Sequence, residues 1–141
     1  MDKEKIIKIA ETNSWAVSEE TYVNGKGLLF SKFSPAGQDF NIPIEPCDSF
    51  GDLLGRIKEY HDNFDIDYET YIWIGTDGHG KNGAPYHIKD LVEDMEACHK
   101  MILELYNLLK EWYDKEWFSK GLIELLHEYD SNYEHCGVYK H

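Results

Sequence analysis

Basic residues are scarce in this chain. Fourteen Lys and Arg stand against 27 Asp and Glu, a net charge of -13 with His neutral. Direct nucleic-acid binding runs on counterion release by a basic footprint, and an anionic membrane leaflet attracts the same sign of charge, so this composition argues against both. The complementary partner is a basic protein surface, toward which the field of the domain steers association. A charge that serves only solubility is the plainer reading of the same number.

Cysteine is sparser still. Cys47, Cys98 and Cys136 form no close pair, the pattern of thiols that stay reduced in the cytosol, and neither CxxC nor paired-His zinc spacing occurs. Long apolar runs are missing: no stretch approaches the roughly 20 residues that cross a bilayer. The opening MDKEKIIKIAETN puts charges through its apolar positions, where a signal peptide has an uninterrupted apolar region. A cytoplasmic chain is expected.

What the chain does hold is aromatic residue, 14% of the total with four Trp and ten Tyr, too much burial potential for a disordered acidic tail. At 141 residues one core is enough, and a single acidic domain over residues 1 to 141 is expected. Ile6, Ile7, Ile9 and Ala10 share a helical face, predicting a first helix over 3 to 12 that Asn13 and Ser14 end. SWAVSEETYV alternates Trp15, Val17 and Val23 with polar residues and reads as a strand, with Gly25 and Gly27 punctuating a turn. LLFSKF and DFNIPI follow as two more strands, the second with Phe40, Ile42 and Ile44 on its core face. Pro43 lacks a ladder donor and places that strand at an edge.

Ser49 suits the N-cap of a helix carrying Phe50, Leu53, Leu54, Ile57 and Tyr60 to about Phe64, with Asp52 as a weak capping-box partner. The segment from Tyr68 to Ile74 is short enough for a strand or a helix, and helix is favoured. GTDGHGKNGAPY reads as a loop. From Ile88, apolar residues at Leu91, Val92, Met95, Cys98, Ile102, Leu105, Leu109 and Trp112 predict the strongest helix of the chain, with a bend or break near Trp117 to Gly121, a last helix to about Asp130 and a frayed tail. The fold class that follows is α+β: an antiparallel sheet of about three strands, residues 14 to 46, packed against helices with a long one near the C-terminus.

The most distinctive string is SPAGQDF, residues 34 to 40. Pro35 presets the backbone for the second position of a β-turn and Gly37 tolerates a positive φ, so a hairpin turn is the first reading. A contact loop presenting Gln38 and Asp39 to a partner is the second. At these residues the chain resembles small acidic proteins of bacteriophages and conjugative elements that carry a similar Ser-Pro-x-Gly-x-Asp-Phe turn. The similarity extends to HDNFDIDYE, residues 61 to 69, and to the GxGxxGAP stretch before the long helix, about the middle half of the chain. The resemblance implies a mobile-element setting, in which small acidic proteins disarm host defences such as CRISPR or restriction nucleases. It implies no catalytic residue.

Carboxylates concentrate in HDNFDIDYE, at Asp62, Asp65, Asp67 and Glu69. Such clustering invites a calcium loop, but Thr70 stands where an EF-hand started at Asp65 needs glycine, and no bidentate Glu closes it. An acidic partner-facing patch and a helix end with capping carboxylates both remain open. Residues 45 to 70 carry eight acidic and two basic residues, and 88 to 130 carry eleven and five, so the excess charge belongs to the helices. Gathered on one face, it would imitate the phosphates a nuclease groove recognises; spread out, it is a solvated helix surface. Tyr60, Tyr68, Tyr71 and Trp73 are candidate interface anchors or core residues.

Other chemistry finds little support. GTDGHGKN resembles a Walker loop, yet Asn82 stands where the magnesium-binding hydroxyl belongs. His61 is expected at the surface, and none of the histidines has metal spacing. The function these observations favour is an inhibitor or adaptor that binds the basic groove of a nucleic-acid-handling protein such as a CRISPR or restriction nuclease, with no cofactor, no metal and no catalytic residue. The alternatives are a small metal-binding protein or enzyme using His and Asp, and a structural subunit.

Overall fold

A computed structural model describes residues 2–77 and 87–136, with side chains for 2–74 and 87–116. The element order is α1 (Lys3–Glu11), β1 (Ala16–Tyr22), β2 (Gly25–Phe33), β3 (Asp39–Ile44), α2 (Phe50–Asp62), α3 (Ile66–Asp77) and α4 (Ile88–Cys136). The chain separates into two compact units, one ending at Leu109 and one beginning at Lys110, within α4. Among the described residues no helix is long and apolar enough to cross a membrane.

The strands form an antiparallel meander in the order β1-β2-β3. β2 is the central strand, with Phe30 opposite Val17 on one side and Ile42 on the other. Period-two burial works as expected on β3: Phe40, Ile42 and Ile44 are buried, while Pro43 lies exposed on an edge strand where its missing N–H removes no ladder bond. β1 departs from expectation. None of its residues is fully buried, and Val23 leaves the strand for a two-residue Val23–Asn24 connection, fully exposed. The glycines expected to make that turn lie inside β2 instead. Gly25 takes φ 136°, which side chains rarely adopt. A Cβ on Gly27 would collide with the Ile44 carbonyl oxygen and sit 2.5 Å from the Tyr22 ring.

The helices start where their capping residues place them. The Asp2 carboxylate accepts from Lys5 N at 3.2 Å to open α1, and Ser49 Oγ accepts from Asp52 N at 3.1 Å to open α2. The Asp52 side chain does not return to complete a capping box; it pairs with Arg56 one turn on, at 3.4 Å. Each of the fully buried side chains Leu53 and Ile57 on α2, and Ile6 on α1, removes enough apolar area from water to stabilise the fold by roughly 1.5–3 kcal/mol.

α4 is one helix over Ile88–Cys136, so of the bend or break expected at residues 117 to 121 no break occurs, and the backbone is helical through residues 131 to 136. One glycine inside a helix costs only about 1 kcal/mol, too little to end it without a proline. Its buried stripe is Leu91, Asp94, Met95, Cys98, Met101, Ile102, Leu105 and Leu109, whereas Ile88 is exposed and Val92 and Trp112 are half-buried. α3 is helical as favoured and extends through Gly75, Thr76 and Asp77; the remainder of the expected glycine loop, residues 78 to 86, lies outside the described residues.

Candidate functional site

The turn after β2 forms as its residues dictate. Gly37 N donates to Ser34 O at 2.8 Å, Ser34 N donates to Gln38 O at 2.8 Å, and Gly37 takes φ 89°. What the turn does was not visible in its own residues. Ser34 Oγ and Gln38 Nε2 each donate to Asp94 Oδ2 at 2.6 Å, and Ala36 N donates to Asp94 Oδ1 at 3.0 Å. Asp94, 4% exposed, therefore clamps the turn onto α4. Gln38, expected to face a partner, is wholly buried, its amide committed to that clamp and its Oε1 without a partner. Asp39 alone of that pair is exposed, opposite Phe33 in the sheet.

A line of rings runs from the sheet to the corner between α2 and α3. Trp15 packs on Phe40 with centroids 6.5 Å apart, Phe40 meets Phe64 edge-on at 6.0 Å, and Phe64 stacks on His99 at 5.4 Å. His99 in turn stacks on His61, with centroids 4.1 Å apart and planes 10° apart, and its Nε2 lies 2.9 Å from the His61 carbonyl oxygen. His61 is therefore packed against α4, its side chain 17% exposed, and is not the surface residue expected. Phe64 and His99 hold the end of α2 in place.

Beyond that anchor the acidic segment divides into distinct roles. Asp65 Oδ1 accepts from Asp67 N at 3.0 Å and Tyr68 N at 3.2 Å, capping α3. Asp62 is exposed and accepts from Lys58 Nζ at 2.6 Å and from His61 Nδ1 at 3.0 Å; these bonds hold its carboxyl below the usual carboxylate range. Asp67 is exposed. Glu69 is half-buried, and burial first, then the Asp65 charge, push its carboxyl up. Burial, followed by Glu69, raises the Tyr60 phenol as well.

α3 carries apolar residues on both faces. Ile66, Thr70, Trp73 and Ile74 form the packed side, with Thr70 buried and the others half-buried. Tyr68, Tyr71 and Ile72, at i, i+3 and i+4, stand on the other side 58%, 72% and 40% exposed. Of the residues expected to meet a partner, the structure thus brings Asp62, Asp65, Asp67 and Tyr68 together at one exposed corner, joined by Tyr71 and Ile72. Trp73 and Glu69 border it, and Gln38 lies elsewhere in the core.

Among the described residues, no three His, Cys, Asp or Glu side chains converge to hold a metal ion. Asp94 belongs to no motif in the sequence. Its signal was positional: an acid three residues after Leu91 and four before Cys98, on a stripe otherwise apolar. Comparison with protein-family models, curated proteins and solved structures finds no match to this chain.

Proposed function

We propose that this chain is an acidic binding protein that holds the basic surface of a nucleic-acid-handling protein, as an inhibitor or adaptor occupying the groove that otherwise takes DNA or RNA. The observation that supports this reading is the outer face of α3. A helix already packed on one side presents Tyr68, Tyr71 and Ile72 on the other, bordered by Asp62, Asp65 and Asp67. Aromatic anchors inside a charged rim are the composition of an interface hot spot, because tyrosine supplies contact area at the loss of few rotamers. The rim's sign, on a chain of charge -13, selects a cationic partner and speeds its encounter. The likeness of residues 34 to 40 to mobile-element proteins supports a CRISPR or restriction nuclease as the target class.

The test begins with capture from the source cells at low salt and identification of what binds. The purified partner's affinity is then measured across a salt series, with and without its nucleic acid, for the parent chain and for a variant combining Asp67→Lys and Tyr71→Ser, neither of which caps a helix. Affinity should fall as salt rises, fall at least tenfold in the variant, and compete with nucleic acid. A partner that binds equally at all salt concentrations, tolerates the variant, or keeps its nucleic acid alongside the chain contradicts the proposal.

A further inference from the structure

The C-terminal half of α2 and the end of β3 enclose a cleft of about 380 Å³, walled by Tyr22 and Tyr60 and rimmed by Glu45, Arg56, Glu59 and Asn63. Its volume is at the small end of ligand sites, suited to one side chain and not to a nucleotide. Arg56 is already engaged, 3.4 Å from Asp52 and 3.6 Å from Glu45. The Glu59 carboxylate has no partner among the described residues. Glu59, Tyr60 and Asn63 line the cleft from the C-terminal turn of α2, the negative end of the helix dipole, which favours a cation.

From this geometry we infer that the cleft is a receptor for an arginine side chain of the partner protein, its guanidinium lying between the two tyrosine rings and donating to Glu59. Three independent features select that chemistry. Aromatic faces attract a weakly hydrated planar cation, and the flat guanidinium of arginine stacks on them in a way the compact lysine ammonium does not match. A free carboxylate gives the fork of N–H donors a charge-assisted acceptor. The helix end adds a field of the same sign. The site rests on the reading of the chain as a binder of a basic protein, and it deepens that reading by supplying a pocket near the acidic corner in which one basic residue is recognised individually.

The probe is arginine blocked at both ends, N-acetyl-arginine-N-methylamide, titrated into the full ¹⁵N-labelled chain and followed by amide NMR. The comparison ligands are its citrulline counterpart, which keeps the shape without the charge, its lysine counterpart, and free arginine. The expected result is saturable shifts centred on Glu59, Tyr60 and Asn63, with a Kd on the order of millimolar, at least tenfold weaker for citrulline and several-fold weaker for lysine. Glu59→Gln, on an exposed position, should weaken the arginine titration at least fivefold while leaving the remaining spectrum in place. Equal binding of citrulline or lysine, binding of free arginine alone, or an unchanged titration in E59Q overturns the inference, as do unsaturable shifts spread over Asp67 and Glu69. The α3 variant described above separates the two readings: it should weaken partner binding at least tenfold and leave the arginine titration intact. Loss of the arginine titration alone condemns the cleft and not the α3 surface.

Discussion

Replacing Asp94 should be the most damaging polar substitution in the chain. Its two oxygens accept from Ser34 Oγ and Gln38 Nε2, both buried, and from the part-buried N–H of the exposed Ala36. Asp94→Ala leaves three donors unanswered. Two of them are buried, and each unsatisfied buried group costs about 1–3 kcal/mol, so the loss should be about 2–6 kcal/mol. Total stability of a domain is only about 5–15 kcal/mol, so the variant should be barely folded. Asp94→Asn is the sharper test because it keeps the volume. Turned one way its NH₂ faces the Ala36 N–H; turned the other it faces the Gln38 amide. With the Gln38 amide as it stands, either orientation opposes donor to donor; a flip of that amide turns Oε1 to the introduced NH₂ but leaves Nε2 buried where no acceptor faces it, and the expected loss is about 1.5–3 kcal/mol. Urea denaturation followed by tryptophan fluorescence, with Trp15 buried against Phe40, reads this as a lower midpoint at constant slope. A double-mutant cycle with Ser34→Ala should return a coupling of about 1 kcal/mol or more. Stability of Asp94→Asn within about 0.5 kcal/mol of the parent, the range of an ordinary surface change, would refute the clamp.

Gly27→Ala forces a methyl group against the Ile44 carbonyl and the Tyr22 ring, and should lower stability by about 1–3 kcal/mol in the same denaturation assay. Asp62→Asn tests the Lys58 and His61 bonds: because they lower the folded-state carboxyl, their contribution is present above the usual carboxylate range and lost as pH falls through the lowered value. Its melting temperature should therefore trail the parent at neutral pH, and the gap should close in strong acid. The Cys98 thiol, pushed up to about 12 mainly by burial and then by Asp94 and Glu69, should resist iodoacetamide in the folded chain and react fully in denaturant, as read by peptide mass spectrometry. Tyr68→Ser should change folding stability by less than about 0.5 kcal/mol, since its ring is largely in solvent.

Periodic signals made the fold legible. Phe40, Ile42 and Ile44 at period two, Pro43 beside them, Ser49 before Phe50, and the stripe of α4 each state a local preference that tertiary packing left unchanged. The errors came where a residue's role depends on something distant in sequence. Gly25 and Gly27 look like turn residues, yet Gly27 is glycine because Tyr22 and the Ile44 backbone crowd it from two other strands. Gln38 reads as a polar loop residue, and its burial depends on a carboxylate 56 positions away. His61 reads as surface for the same reason, since the ring that covers it belongs to α4. The site was half legible: clustered carboxylates and tyrosines were visible in HDNFDIDYE, whereas the division among a cap at Asp65, an ion pair at Asp62 and an exposed rim at Asp67 required the turn of α3.

The two long-range anchors share one helix, and that connects stability to presentation. Asp94 fixes α4 to the hairpin end of the sheet, and His99, little more than one turn later, fixes the end of α2 through the His61 carbonyl and the stack with Phe64. The exposed face of α3 begins only four residues after Phe64. Its position relative to the sheet is therefore set by side chains that lie outside that face. A preorganised surface loses less entropy on binding than one that must be ordered first. On this argument, weakening the His61–His99 stack should raise the partner's dissociation rate even with every carboxylate and tyrosine of the α3 face intact. His99→Ala, compared with Asp67→Lys by surface plasmon resonance, distinguishes the effects: the first should act on dissociation, and the second chiefly on association and its dependence on salt. If His99→Ala leaves dissociation unchanged while lowering stability, the corner is not what organises the interface.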